Sequence, residues 1–294
     1  MAALMLEKPD DMLGKVCLVT GANAGIGKEI ARGLALKRAT VVVAARSEER
    51  GRAAAEEISD DTANPSVSFL KVDVSSRASV RAFAAELGAK HQKLDLLVNN
   101  AGVWMSERKE SVDGIEMTWA TNVLGYFLVT KLFQPLLEAA APSRIVNVAS
   151  NNAKGLDLAD VEFKRRKYSG VAAYAQSKQA DRMLSWAFAD RLRAKKVTVN
   201  ALHPGVVASE IAQDGTGAFG AVARVFFRVA GISPERGADT AVWLASSRGV
   251  AEQTSGYYVR RKEKRCAFRD EAEIEKLWAL CEEMTRGAVS SSEG

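Results

Sequence analysis

Apolar and polar positions alternate in blocks along this chain. Residues 15–20 (KVCLVT) form a short, unbroken apolar run that stops at a cluster of glycines, the pattern of a strand buried on both faces. From Gly25 to about Arg38 the apolar positions change to helical spacing, with Ile26, Ile30 and Leu34 on one side. A valine-rich run follows at 39–45 (ATVVVAA). The same alternation predicts helices near 47–58, 76–90, 112–138 and 170–194, set between strands near 67–72, 94–98, 144–149 and 197–202. Ser233-Pro234-Glu235 reads as an N-cap with proline opening a helix that runs to about Ser246. A short last strand is expected at 256–259. Ile274, Leu277, Trp278, Cys281 and Met284 give the stretch 270–286 one apolar helical face.

Strands separated by long helices are joined in parallel by right-handed crossovers. The expected fold is therefore α/β: a single doubly wound, Rossmann-type parallel sheet with helices on both faces. One domain is expected over 1–294, with a glycine-rich half at about 14–105, a second half at about 106–260 and a closing helix at about 270–286. No internal repeat or low-complexity tract interrupts it. With 294 residues and 47% hydrophobic content, the chain can bury a large core.

The net charge of +5 is spread among 36 acidic residues rather than gathered in a stripe. That disfavours nucleic acid as a partner and fits a solvated surface that prefers an anionic small ligand. Cys17, Cys266 and Cys281 show neither close pairing nor metal-ligand spacing, and His91 and His203 are the only histidines. No metal site and a reducing compartment are expected. The opening MAALMLEKPDDM is broken by Glu7, Lys8 and Pro9, so neither a signal peptide nor a membrane span is read there, and the cytoplasm is the expected location.

The first strand runs into Thr20-Gly21-Ala22-Asn23-Ala24-Gly25-Ile26-Gly27 and then a helix. Glycines at a strand-to-helix turn let the backbone approach a pyrophosphate, whose charge then meets free N–H groups at the helix start. Gly21, Asn23, Gly25, Ile26 and Gly27 are the candidate cradle of a dinucleotide. The end of the second strand separates the two nicotinamide cofactors. A carboxylate there accepts the 2′-hydroxyl of NAD, whereas arginine pairs with the 2′-phosphate of NADP. This strand ends Ala44-Ala45-Arg46, with no Asp or Glu in its last positions. NADP(H) is the expected cofactor, with Lys28 expected to add positive charge.

Ser150 closes the fifth strand, and Tyr174 and Lys178 stand one helical turn apart on the next helix. A free tyrosine titrates near pH 10, so little phenolate exists at neutral pH; an ammonium on the same face stabilises the anion. Such a tyrosine serves as general base for an alcohol or general acid for a carbonyl, while a serine hydroxyl holds the substrate oxygen. Tyr-x-x-x-Lys is common by chance on helices. Its position beyond the carboxyl ends of the strands, where open α/β sheets bind ligands, is what gives it weight.

Taken in order, T-G-A-N-A-G-I-G at 20–27, Asp73-Val74, Asn99-Asn100-Ala101-Gly102, Asn122, Ser150, Tyr174 with Lys178, and His203-Pro204-Gly205 resemble the short-chain dehydrogenases/reductases over nearly the whole chain. The wider separation of Ser150 and Tyr174, the segments R-I-V-N-V-A-S and H-P-G-V-V-A-S-E, and the tail G-Y-Y-V with E-K-L-W are similar to the retinol-dehydrogenase-like branch. Many members of that branch have a hydrophobic N-terminal anchor, and none is expected from the residues at the start of this sequence. The resemblance implies a Ser-Tyr-Lys-Asn tetrad of Ser150, Tyr174, Lys178 and Asn122, the last positioning Lys178 through water. It also implies adenine contacts from Asp73 and Val74, ribose-side contacts from Asn100, Ala101, Gly102 and Lys178, and carboxamide contacts from Pro204, Gly205, Val206 and Ser209. Asn99 would help hold the central strands.

Two segments are expected to shape the substrate pocket: 151–169, with Asn151, Asn152, Leu156, Leu158, Phe163 and the basic run 164–167, and 211–231, rich in Phe and Val. Their apolar character implies an apolar carbonyl or alcohol substrate. Arg224 and Arg228 among apolar residues are compatible with contact at a membrane surface, although lid packing is the simpler reading. Family members commonly pair as homodimers through the two long helices. Two other functions fit the same residues: a C=C reductase acting on an enone or pigment, and a non-catalytic NADP-binding sensor or scaffold.

Overall fold

Runs such as VCLVT and TVVVAA have no polar alternation, so their strands must be covered on both faces. In the computed structural model, which describes residues 11–205 and 232–286, they sit at the centre of one eight-stranded sheet. Its strands are β1 (Val16–Thr20), β2 (Thr40–Ala45), β3 (Val67–Lys71), β4 (Leu96–Asn99), β5 (Ser143–Val148), β6 (Val197–His203), β7 (Tyr257–Val259) and β8 (Lys262–Glu263). Their order is β3-β2-β1-β4-β5-β6-β7-β8, parallel up to β7 and antiparallel for β8. The order reverses between β1 and β4, and this switch point opens a crevice at their carboxyl ends.

The helices are α1 (Gly25–Ala35), α2 (Glu48–Thr62), α3 (Arg77–Lys90), α4 (Gly125–Ala139), α5 (Gly170–Leu192), α6 (Pro234–Ser246) and α7 (Glu271–Arg286). Successive strand residues feed opposite cores, as the two-residue period requires. Val19, Val41 and Val43 pack with Ile30, Leu34, Ala241 and Leu244 beneath α1 and α6. Leu18, Val42 and Leu97 pack with Phe83, Phe127, Phe133 and Trp186 beneath α3, α4 and α5.

The closing helix α7 adds to the second core. Its Trp278 ring lies 4.9 Å from Phe127 on α4 and 4.8 Å from Phe188 on α5, with the Arg191 guanidinium 3.9 Å from its centre. Burying Ile274, Leu277 and Cys281 beside it contributes roughly 1.5–3 kcal/mol for each large side chain. The last carbonyls of α7, at Met284 and Thr285, accept from Arg77 (3.0 Å) and Arg81 (2.9 Å) on α3, which satisfies a negative helix end with cations. α7 thus packs against Phe127 of α4 and Phe188 of α5, the two helices through which the resemblance implied pairing.

Two expectations about elements change. The helix expected over 112–138 begins only at Met117, because Gly114 takes φ +72° in a turn and the buried Glu116 carboxylate caps the N–H groups of Thr118 (2.9 Å) and Trp119 (2.7 Å). A single α turn, Met117–Trp119, then passes into a π turn, Ala120–Leu124, before α4. Strand β8 is short, exposed and polar, so no hydrophobic pattern announces it. Ser233 does stand at the N-cap of α6, but without a side-chain cap bond. Among the described residues no helix is long and apolar enough to cross a membrane, and no cluster of His, Cys, Asp and Glu suits a metal.

Candidate active site

The turn between β1 and α1 owes its shape to missing side chains. Gly21 and Gly25 take φ +66° and +55°, values that side chains disfavour. A Cβ on Gly21 would lie 2.7 Å from Ala101 Cα, and one on Gly27 would run into Asn100 Nδ2 and the Gly21 carbonyl. The turn is thereby pressed against the end of β4 and locked there. Thr20 Oγ1 accepts from the N–H of Asn100 (3.0 Å) and Ala101 (3.2 Å), while Asn100 Nδ2 donates to the carbonyls of Thr20 (2.9 Å) and Gly21 (3.2 Å). Behind it, Asn99 Nδ2 ties β4 to Asn147 Oδ1 on β5 (2.9 Å) and to Thr130 Oγ1 (3.0 Å).

Helix α1 starts without a side-chain cap or an acidic residue in its first turn, whereas Ser47, Ser76 and Ser169 cap α2, α3 and α5. Its first N–H groups are therefore available to an anion. One cleft is lined by Gly21, Asn23, Gly25, Ile26, Gly27, Arg46, Asp73, Val74, Asn100, Ala101 and Gly102, so the expected glycine turn, adenine residues and ribose-side residues of the first half meet there. Asp73 is fixed at the end of β3, its Oδ1 accepting from Ser75 N (3.0 Å) and Ser75 Oγ (2.6 Å).

The cleft also contains residues the sequence reading missed, among them Ser47, Arg50 and Thr121. Arg50 stands in the first turn of α2, four residues after Arg46 at the end of β2, a nearness in sequence that could have flagged it. Both arginines are exposed, and among the described residues neither has a carboxylate partner. Lys28 does not join them: it pairs with Glu57 on α2, which corrects the expectation that it adds charge to the cofactor end. Trp104 is a cleft wall and Trp119 a core residue.

Beside this cleft, α5 presents Tyr174 half-buried and Lys178 buried. Lys178 Nζ donates to Val148 O (3.1 Å) and to Asp181 Oδ2 (2.7 Å), and stands 5.8 Å from the centre of the Tyr174 ring. Burial works against this ammonium, but the charge of Asp181 and the neighbouring phenols hold its pKa above the ordinary lysine value. Asn122 lies in the π turn, its Oδ1 accepting from Val103 N (2.8 Å) and its Nδ2 donating to Val103 O (3.1 Å) and Ser177 Oγ (3.0 Å). A Cβ on Gly102 would sit 3.5 Å from Asn122 Oδ1 and 3.9 Å from Lys178 Nζ, so both reach the cleft wall at that glycine. Ser150 follows β5, and its Oγ accepts from Asn152 N (3.1 Å). Pro204 and Gly205 follow β6, with Gly205 at φ +101°. Val206, Ser209 and the segment 211–231 lie outside the described residues.

A profile of the short chain dehydrogenases matches residues 15–217 of this sequence. The chain belongs to the short chain dehydrogenase family. Retinol dehydrogenase 13 of Homo sapiens is 38% identical over 276 residues, covering 90% of this chain and 83% of the relative. Retinol dehydrogenase 12 of Homo sapiens is 38% identical over 275 residues, covering 92% and 86%. Among solved structures, the RhlG/NADP active-site complex of Pseudomonas aeruginosa superposes with TM-score 0.67 at 30% identity, covering 84% of this chain and 95% of that one. The retinol-dehydrogenase-like resemblance read from the sequence is thereby borne out.

In this short-chain dehydrogenase the segment 151–169 is held by its own polar bonds. The Asp160 carboxylate accepts the N–H groups of Lys164 (2.7 Å), Arg165 (3.1 Å) and Arg166 (3.1 Å). Lys164 pairs with Glu162 at 2.9 Å, and the Arg166 guanidinium lies 3.9 Å over Phe163 while bonding Gln176. The basic run is largely committed to the loop's own structure. Phe163 is buried in that packing, between Arg166 and Tyr168.

Proposed function

We propose that this short-chain dehydrogenase is NADP(H)-dependent and transfers a hydride between the nicotinamide and the carbonyl or alcohol carbon of an apolar small molecule. The observation that carries the reading is the Tyr174–Lys178 pair on α5, with the ammonium anchored at the Gly102 wall of a glycine-built cleft. The cleft suits a dinucleotide because the space that side chains at Gly21, Gly25 and Gly27 would take or distort is left to the backbone. The uncapped start of α1 meets the pyrophosphate there.

Arg46, with Arg50 in the first turn of α2, takes the 2′-phosphate, for which a planar guanidinium is well shaped. Asp73 and Val74 meet the adenine, and Asn100, Ala101, Gly102 and Lys178 the ribose side. Pro204 and Gly205 would meet the carboxamide; Val206 and Ser209, expected there too, lie outside the described residues. Bound there, NADPH supplies the hydride. Ser150 Oγ orients the substrate oxygen, and Tyr174 donates its proton to that oxygen during reduction or removes it during oxidation. Lys178 keeps a positive charge beside the phenol, and Asn122 holds the loop at Val103 against which both sit.

The names of the relatives point to retinoid-like alcohols and aldehydes as the first substrates to try. The test is a panel of aldehydes and ketones from apolar to polar, each assayed with NADPH and NADH and followed by product analysis. Alcohol formation from apolar carbonyls, preferentially with NADPH, is expected. Turnover with NADH alone, or reduction of the C=C bond of an enone with its carbonyl intact, overturns the corresponding half of the reading.

A further inference from the structure

Helix α5 carries three ionisable side chains in its buried middle: Lys178, Asp181 and Arg182. Lys178 already has a role in the reaction proposed above; the other two do not. Arg182 turns toward the end of β5 and the sheet edge, donating to the Ser150 carbonyl and to Tyr257 Oη (2.6 Å), with its plane 3.9 Å over the Tyr257 ring. Asp181 turns toward the ammonium. Its Oδ2 is 2.7 Å from Lys178 Nζ, both side chains are almost wholly shielded from solvent, and Oδ1 has no hydrogen-bond partner among the described residues.

The surroundings of the carboxylate are otherwise poor in compensating charge. Tyr126 on α4 stacks its ring 5.2 Å from Lys178 Nζ and directs its hydroxyl to Val148 O (3.3 Å). Tyr174 lies a turn earlier on α5. From α7 comes Cys281, a thiol whose pKa is raised by burial and by the Asp181 charge. Lys178 is thus the cation directly bonded to the carboxylate, with Arg182 the nearest other positive group on the helix. A buried ammonium bonded only to a carbonyl readily gives up its proton, and an unpaired buried carboxylate is equally unfavourable. Two fixed acceptors, Val148 O and Asp181 Oδ2, leave one N–H of Lys178 to point elsewhere.

We propose that Asp181 is a positioning residue of this reaction, whose carboxylate keeps the Lys178 ammonium charged and anchored at the Gly102 wall beside Tyr174. The proposal rests on the reading of Tyr174 and Lys178 as the proton-transfer pair. Asp181 touches neither substrate nor cofactor; it acts through Lys178.

The sign of the effect follows from the charge. With the carboxylate present, Lys178 stays protonated through the alkaline range. Without it, burial dominates and the proton leaves at lower pH, taking activity with it. The experiment compares kcat against pH for wild type, Asp181→Asn, Asp181→Glu and Lys178→Met, with the KM for NADPH measured alongside. Asp181→Asn is expected to lower kcat at least about tenfold and to move its alkaline loss down by about one pH unit or more. Asp181→Glu keeps the charge and should restore the wild-type pH limit while lowering kcat. An Asp181→Asn profile with an unmoved limit overturns the proposal, even if the variant is less active. Should Asp181→Asn fail to fold, a displaced limit in Asp181→Glu overturns it instead. Undiminished turnover in Lys178→Met sinks the proton-transfer reading itself, so the two failures are distinguishable.

Discussion

The glycine turn before α1 and the Lys178–Asp181 pair on α5 serve neighbouring stretches of one cleft, yet they are built from opposite materials. The turn works by subtraction: Gly21 and Gly27 leave no side chain where Ala101 and Asn100 must come close. The pair works by adding charge to a dry interior, an ammonium and a carboxylate 2.7 Å apart. Backbone shaped by absent side chains is insensitive to pH and intolerant of added volume. A charged interior is sensitive to every proton gained or lost. Binding and turnover should therefore respond to different perturbations.

The strongest separation is expected from Tyr174→Phe. It removes a hydroxyl and leaves the cleft intact, so turnover should fall roughly 10²–10⁴-fold with NADPH binding by fluorescence titration unchanged. Turnover near wild type would show that the α5 side is not chemical at all. Arg46→Ala addresses the other side: the dissociation constant for NADPH should rise about 10–100-fold, as expected for a charge-assisted bond, with that for NADH unmoved. Equal weakening of both cofactors would take Arg46 away from the 2′-phosphate.

The smallest effect concerns pH and stability at the end of β6. Burial, with the charges of Arg182 and Arg260, pushes His203 down to about 4 from 6.5. A histidine held neutral in this way stabilises the fold fully above its ordinary value, and that contribution is lost as pH falls toward the lowered one. The melting temperature of wild type relative to His203→Asn should therefore be constant above pH 6.5 and decline between there and about 4. A flat difference across that window would exclude His203 as a source of acid sensitivity.

How much of this was legible in the sequence follows the same division. The glycine turn was readable because a backbone constraint leaves a local mark, and β1, β2 and α1 flank it with strong periodicity. Tyr174 and Lys178 share a helix face and were readable from spacing. Arg50 lies past the strand end in the first turn of α2, where an arginine looks like any solvated residue, and the partner of Lys28, Glu57, sits on another helix, which spacing along the chain does not show. The π turn around Asn122 escaped for a different reason: Glu116 and Gly114 start the helix late, and an inserted residue in a helix leaves no periodic trace. Asp181 looked like an ordinary polar position, because a carboxylate that ends up buried cannot be told in sequence from one that meets water.

The aromatic seam under α7 has a further consequence. With Trp278 seated against Phe127 and Phe188, α7 is fastened to α4 and α5 from within the chain. Free energy gained at a fastening of this kind is intramolecular, so it is the same in dilute and concentrated solution, unlike that of a face completed by a second copy.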